Sequence, residues 1–111
     1  MATGDDFRRI ALSFAGTSEA PHFDRRAFKA RVTFATLGPD GLTANIKLLP
    51  DEQALKCLVA ADAFSVIPNG WGRMGWTTAT LAALTVAELE DVLRIAWLHA
   101  SRKPVKRSSK R

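Results

Sequence analysis

The sequence predicts a single α+β domain in which an antiparallel sheet of about five strands carries an N-terminal and a C-terminal helix on one face. Three observations predict it. Apolar residues recur at helical spacing near the start of the chain and again near its end. Between them the apolar period shortens to two, and β-branched and aromatic residues become frequent. Gly38-Pro39-Asp40-Gly41 and the glycine-rich stretch from Gly70 to Gly75 punctuate that central region as turns do.

The first helix is expected from about Asp5 to Ser13. Asp5 and Asp6 suit the positive end of its dipole, and Phe7, Ile10, Ala11 and Phe14 mark its core face. Gly16-Thr17 ends it, and a loop through Glu19, Pro21 and His22 follows. Ala27 to Leu37 reads as two strands or a bent hairpin, with Phe28, Val32 and Phe34 as its strand formers. Leu42 to Leu48 alternates apolar and polar residues, the pattern of a half-buried strand. Pro50-Asp51-Glu52 opens a second helix with acids in its first turn. Ala54, Leu55, Leu58 and Val59 are its expected buried stripe, and it ends near Asp62. Phe64 to Pro68 is a fourth strand, Asn69 to Gly75 a turn, and Trp76 to Leu81 a fifth strand. Thr85 and Glu88 have the spacing of a capping box. Val86, Leu89, Val92, Leu93, Ala96 and Trp97 then line one face of a last helix that runs to about Ser101.

At 111 residues the chain has the size of one domain. A chain of this length buries roughly 65% of its unfolded surface, enough for a core without disulfides or metals. Its composition, 47% hydrophobic and 24% charged, is that of a globular protein and excludes a disordered one. No stretch approaches the ~20 apolar residues of a membrane span. The acidic, polar start from Met1 to Asp6 does not resemble a secretory signal. Cys57 is the only cysteine, so no internal disulfide can form, and a lone thiol suits a reducing compartment. The expectation is a cytoplasmic monomer with no membrane partner.

The net charge of +5 is unevenly placed. Residues 102–111 hold six of the 16 basic residues and no acid, which leaves residues 1–101 with 10 basic and 11 acidic residues, a net charge of −1. The domain is therefore expected over residues 1–101, with a disordered basic tail over 102–111.

Most chemistries lack their residues. His22 and His99 stand far apart in sequence, and no Cys-x-x-Cys, His-x-x-x-His or His-Glu-x-x-His occurs, so no metal or other cofactor is expected. Cys57 sits among Leu55, Leu58 and Val59 and reads as a small apolar residue, not a nucleophile. There is no Gly-x-Ser-x-Gly elbow, Walker loop or Gly-x-Gly-x-x-Gly. The adjacent acids begin helices. No catalytic residue is expected, and the chain reads as a binding module.

Two groups of residues point to binding. Arg25, Arg26, Lys29 and Arg31 place four basic residues in seven, and strand alternation puts Lys29 and Arg31 opposite Phe28 and Ala30. Such a hairpin can present positive charge to phosphates, or can simply be an edge strand guarded by cations. Trp71, Arg73 and Trp76 lie in a loop whose three glycines allow close backbone approach. They can hold a base or an anion by stacking and charge, or close the edge of the core.

In this order these motifs resemble the MmcQ/YjbR family. The resemblance rests on His22, Arg25 and Phe28, then Phe34-Ala35, then Ile46-Lys47-Leu48 before Pro50-Asp51-Glu52, and last Trp71, Arg73, Trp76 and Thr77. It covers about Phe7 to Ser101. It implies a CyaY-like fold, similar to bacterial frataxin, and the label of a predicted DNA-binding, double-wing protein. Ala30-Arg31 stands where the family commonly has glycine and lysine, which implies a shorter or differently turned hairpin tip. A frataxin-like role in iron supply lacks its acidic helix ridge, because Phe7-Arg8-Arg9 follows Asp5-Asp6. Two functions remain expected: weak, salt-sensitive DNA binding through the Arg25 to Arg31 hairpin and the Trp/Arg loop with Arg73, with the basic tail as a further phosphate contact, or binding of a small anionic molecule near His22, Arg25, Lys47, Trp71, Arg73 and Trp76.

Overall fold

The computed structural model describes residues 1–102. The basic tail expected beyond them lies outside the described residues. The chain runs through helix α1 (Gly4–Ser13), strands β1 (Ser18–His22), β2 (Arg25–Lys29), β3 (Thr33–Leu37) and β4 (Thr43–Lys47), helix α2 (Pro50–Val59), strand β5 (Phe64–Val66), a one-turn helix α3 (Gly70–Arg73), strand β6 (Trp76–Thr80), a 3-10 turn (Leu81–Ala83) and helix α4 (Val86–Ser101). The strands form one sheet in the order β1-β2-β3-β4-β6-β5, with every neighbouring pair antiparallel. The α+β architecture predicted from the sequence is the one observed.

Both terminal helices start on a reciprocal cap. The Thr85 hydroxyl accepts from the Glu88 N–H, and the Glu88 carboxylate accepts from the Thr85 N–H. Thr3 and Asp6 repeat this at α1. The helices α1 and α4 pack together and cover β3. Beneath them Phe7 meets Phe28 edge to face at 5.4 Å, and Phe14 stacks on Trp97 at 5.3 Å. Phe7, Phe28 and Phe34 are fully buried, each contributing about 1.5–3 kcal/mol by the apolar area it removes from water. A register shift after Phe28 makes Phe34 an extra residue in β3, and Phe34 and Ala35 are both buried.

The structure corrects the sequence reading at four places. The stretch from Ser18 to His22, expected as a loop, is a sixth strand. It is an edge strand with mostly exposed residues, so it carries no apolar alternation, and an edge tolerates Pro21. Val32 lies in the β2–β3 turn and is exposed. Val86, in the first turn of α4, is also exposed. The largest correction concerns α2. Ala54, Leu55, Leu58 and Val59 all face solvent, Leu58 with 79% exposure, whereas Gln53 is buried.

The rotation of α2 carries Gln53 inward. Its Nε2 lies 3.0 Å from the Gly72 carbonyl, 3.1 Å from the Trp76 carbonyl and 3.2 Å from the Thr77 hydroxyl. A buried amide must keep such partners, and they all belong to the α3–β6 segment. Gln53, Cys57 and Ala60 turn inward, and the leucines are carried out.

Candidate functional site

The helices cover one face of the sheet, and the candidate site lies on the other. Cross-strand partners share a face. His22 pairs with Arg25, Thr36 with Asn45, Asn45 with Thr78, and Lys47 with Trp76. The strand residues on this outer face include no aspartate or glutamate, but carry Arg25, Lys29 and Lys47.

A hollow of about 290 Å³ opens on this face, lined by His22, Arg25, Thr36, Asn45, Ile67, Asn69, Trp71 and Trp76. Arg25 is laid across β3. Its Nε donates to the Thr36 hydroxyl at 2.9 Å and its Nη2 to the Thr36 carbonyl at 3.3 Å. Among the described residues, no carboxylate lies within 4.0 Å of this guanidinium. The Thr78 hydroxyl donates to Asn45 Oδ1 at 3.1 Å, which leaves the Asn45 amide hydrogens available. Neither the Trp71 nor the Trp76 indole N–H finds an acceptor among the described residues. The hollow is therefore rich in donors and poor in acceptors.

The glycine-rich segment builds the aromatic wall. The Asn69 side chain accepts from the Trp71 N–H at 2.8 Å and starts α3. A Cβ on Gly72 would overlap the Ile67 carbonyl oxygen. Gly75 has φ +103°, and a Cβ there would overlap the Leu48 carbonyl oxygen. Only glycine fits at these two positions, and together they clamp the loop to β4 and β5. Trp71 is left 58% exposed over the hollow, while Trp76 is half-buried.

Of the nine residues singled out in the sequence, His22, Arg25, Trp71 and Trp76 line the hollow. Lys47 shares the face as the cross-strand partner of Trp76, but does not line the hollow. Arg73 folds back along α3, its Nη2 3.5 Å from where a Gly70 Cβ would stand. Lys29 is exposed on the outer face, paired across with Ser18. Arg26 turns to the helix side, where Glu19 accepts from both Arg26 and Arg8 at 2.8 Å. Arg31, expected beside Lys29, instead sits at the far end of the molecule. Its backbone N–H donates to the Ala100 carbonyl and its Nη1 to the Arg102 carbonyl, closing the end of α4. The basic hairpin of the sequence is thus divided among three places.

Sequence reasoning missed Thr36, Asn45, Ile67 and Asn69. Asn45 was within reach, because the alternation of Thr43, Asn45 and Lys47 already sets it on the polar face of β4. Thr36 had no local signal; its role comes from Arg25, eleven residues away.

Cys57 lies outside the hollow, on α2, and burial pushes its thiol up, away from the reactive thiolate. Among the described residues, no three His, Cys, Asp or Glu side chains gather as a metal site requires. No helix among them is long and apolar enough to cross a membrane.

No protein-family model matches this chain, and no curated protein matches it in sequence. Among solved structures it is similar to the crystal structure of Deinococcus radiodurans protein DR2400, a DUF419 domain. The two are 21% identical over 93% of this chain and 81% of that one, with a TM-score of 0.77. At that identity the likeness carries the fold alone.

Proposed function

We propose that this protein is a non-catalytic binding module of the MmcQ/YjbR type, whose sheet-face hollow takes a small anionic molecule. One observation carries the reading: Arg25 is fixed in the floor of a hollow walled by two tryptophans, with no carboxylate within 4.0 Å of it among the described residues. A guanidinium held in this way has donors to offer and none of the counter-charge that a purely structural arginine usually finds. The family reading is supported by the spacing of His22, Arg25 and Phe28, and a DUF419 relative in shape is compatible with it.

Tryptophan emission tests this, because Trp71 and Trp76 wall the hollow. Titration with a panel of small anions should change the emission for the right one. Arg25→Ala should abolish the response, while Arg73→Ala, outside the hollow, should leave it. Emission that stays flat across the whole panel would sink the proposal.

DNA binding is the second reading, favoured by the acid-free outer face with Arg25, Lys29 and Lys47. The net charge of −1 over residues 1–101 makes such binding weak and steeply salt-dependent. A labelled duplex titrated at low salt, with and without residues 102–111, checks it. No binding by the full chain at low salt rules it out.

A further inference from the structure

We propose that the ligand of this hollow is a flat aromatic ring bearing a carboxylate, and that Phe23 at the tip of the β1–β2 hairpin is the stacking partner of that ring. The proposal rests on the small-anion reading above and extends it.

Phe23 and Asp24 form the two-residue turn between His22 and Arg25. Phe23 adopts φ +58°, the one non-glycine residue with positive φ among those described. Glycine or asparagine is usual in such a turn, and a residue with a bulky side chain is an outlier there. Its ring is 93% exposed, so burial returns nothing for that strain. It leans edge-on against His22, ring centres 4.9 Å apart; His22 lines the hollow, and Phe23 stands beside it, outside the lining. An aromatic held in a costly conformation and offered to solvent beside a binding hollow is the kind of backbone outlier that accompanies function. Trp71, on the lining itself, presents another exposed aromatic across the hollow from His22.

The charge pattern selects the acid. Arg25 uses its Nε and one side of Nη2 on Thr36, which leaves the Nη1–Nη2 edge. That edge matches the two coplanar oxygens of a carboxylate. A phosphate, with a charge nearer −2, calls for a second cation, and neither Lys47 nor Arg73 lines the hollow. A volume of about 290 Å³ lies at the small end of ligand sites and suits one ring.

The experiment compares benzoate with cyclohexanecarboxylate, alike in charge and carbon count but only one of them flat. Calorimetry or tryptophan emission is recorded on the full chain, with inorganic phosphate and a mononucleotide as further probes. Benzoate is expected to bind roughly 2- to 10-fold more tightly than cyclohexanecarboxylate, the usual worth of an aromatic pair. Phe23→Asn and Phe23→Leu should both remove that preference and leave the cyclohexanecarboxylate affinity within about twofold. Phe23→Asn should also raise the melting temperature, which shows that any loss of binding is not a loss of folding. A preference that survives in both variants overturns the role of Phe23 and leaves the small-anion reading in place. Tighter binding of phosphate or the mononucleotide overturns the carboxylate. Binding of none of the probes, or benzoate binding unchanged in Arg25→Ala, overturns both readings.

Discussion

Replacing Gln53 with alanine tests the rotation of α2, and with it the support of the aromatic wall. The Gln53 amide serves the Gly72 and Trp76 carbonyls and the Thr77 hydroxyl. None of these is orphaned when it goes. The Gly72 carbonyl still accepts from the Gly75 N–H at 3.0 Å, the Trp76 carbonyl from the Ile67 N–H at 3.4 Å, and the Thr77 hydroxyl still donates to the Gly75 carbonyl at 2.9 Å. The loss is therefore that of about two net hydrogen bonds, roughly 1–3 kcal/mol, without the larger penalty of a stranded polar group. A central value of about 2 kcal/mol corresponds to an ~8–16 °C fall in Tm for a domain of this size. Leu58→Ala, 79% exposed on the same helix, should stay within about 0.5 kcal/mol. Urea denaturation of the two variants gives the comparison directly. If Leu58→Ala costs the ~2–5 kcal/mol of a core leucine while Gln53→Ala is neutral, α2 faces the other way and the reasoning fails.

Two further outcomes follow from local geometry. Gly75→Ala should destabilise by at least about 3 kcal/mol, because its Cβ meets the Leu48 carbonyl, whereas Gly16→Ala, at φ +75° with nothing within 4 Å, should cost only about 1–2 kcal/mol; equal melting temperatures for the two would refute the clamp. The backbone N–H groups of Thr3 and Thr85 hold the Asp6 and Glu88 carboxyls below the usual carboxylate range. A carboxyl lowered in the folded state contributes stability above its unfolded pKa and loses it as pH falls through the folded value. Stability should therefore decline from roughly pH 4 downward. Glu88→Gln, which keeps the capping geometry without the titration, should flatten that decline in urea midpoints, and an unchanged pH profile would count against it.

The periodic and capping signals were legible in the sequence alone. The apolar stripes of α1 and α4, the Thr85–Glu88 cap and the strands on either side of Gly38–Gly41 are all decided within a few residues. The sequence reading put His22, Arg25, Lys47, Trp71, Arg73 and Trp76 in one group, of which Lys47 and Arg73 do not line the hollow. Where local pattern and distant partners compete, the pattern misled. The stripe Ala54, Leu55, Leu58 and Val59 is a sound helical face, yet it is Gln53 that turns inward, to partners on α3 and β6 that no local pattern reveals. The edge strand β1 has no stripe to read, since its pairing with β2 is made by backbone groups. Arg25, Arg26 and Arg31 look like one cluster in the chain. Alternation along β2 separates the first two, and the turn after Lys29 gives the third to the end of α4. Short-range sterics and periodicity act through the chain itself, so the sequence alone determines the elements and their caps. The hollow depends on strand order and register across the sheet, where residues far apart in sequence become neighbours, and only the tertiary structure decides which cations stand there unpaired.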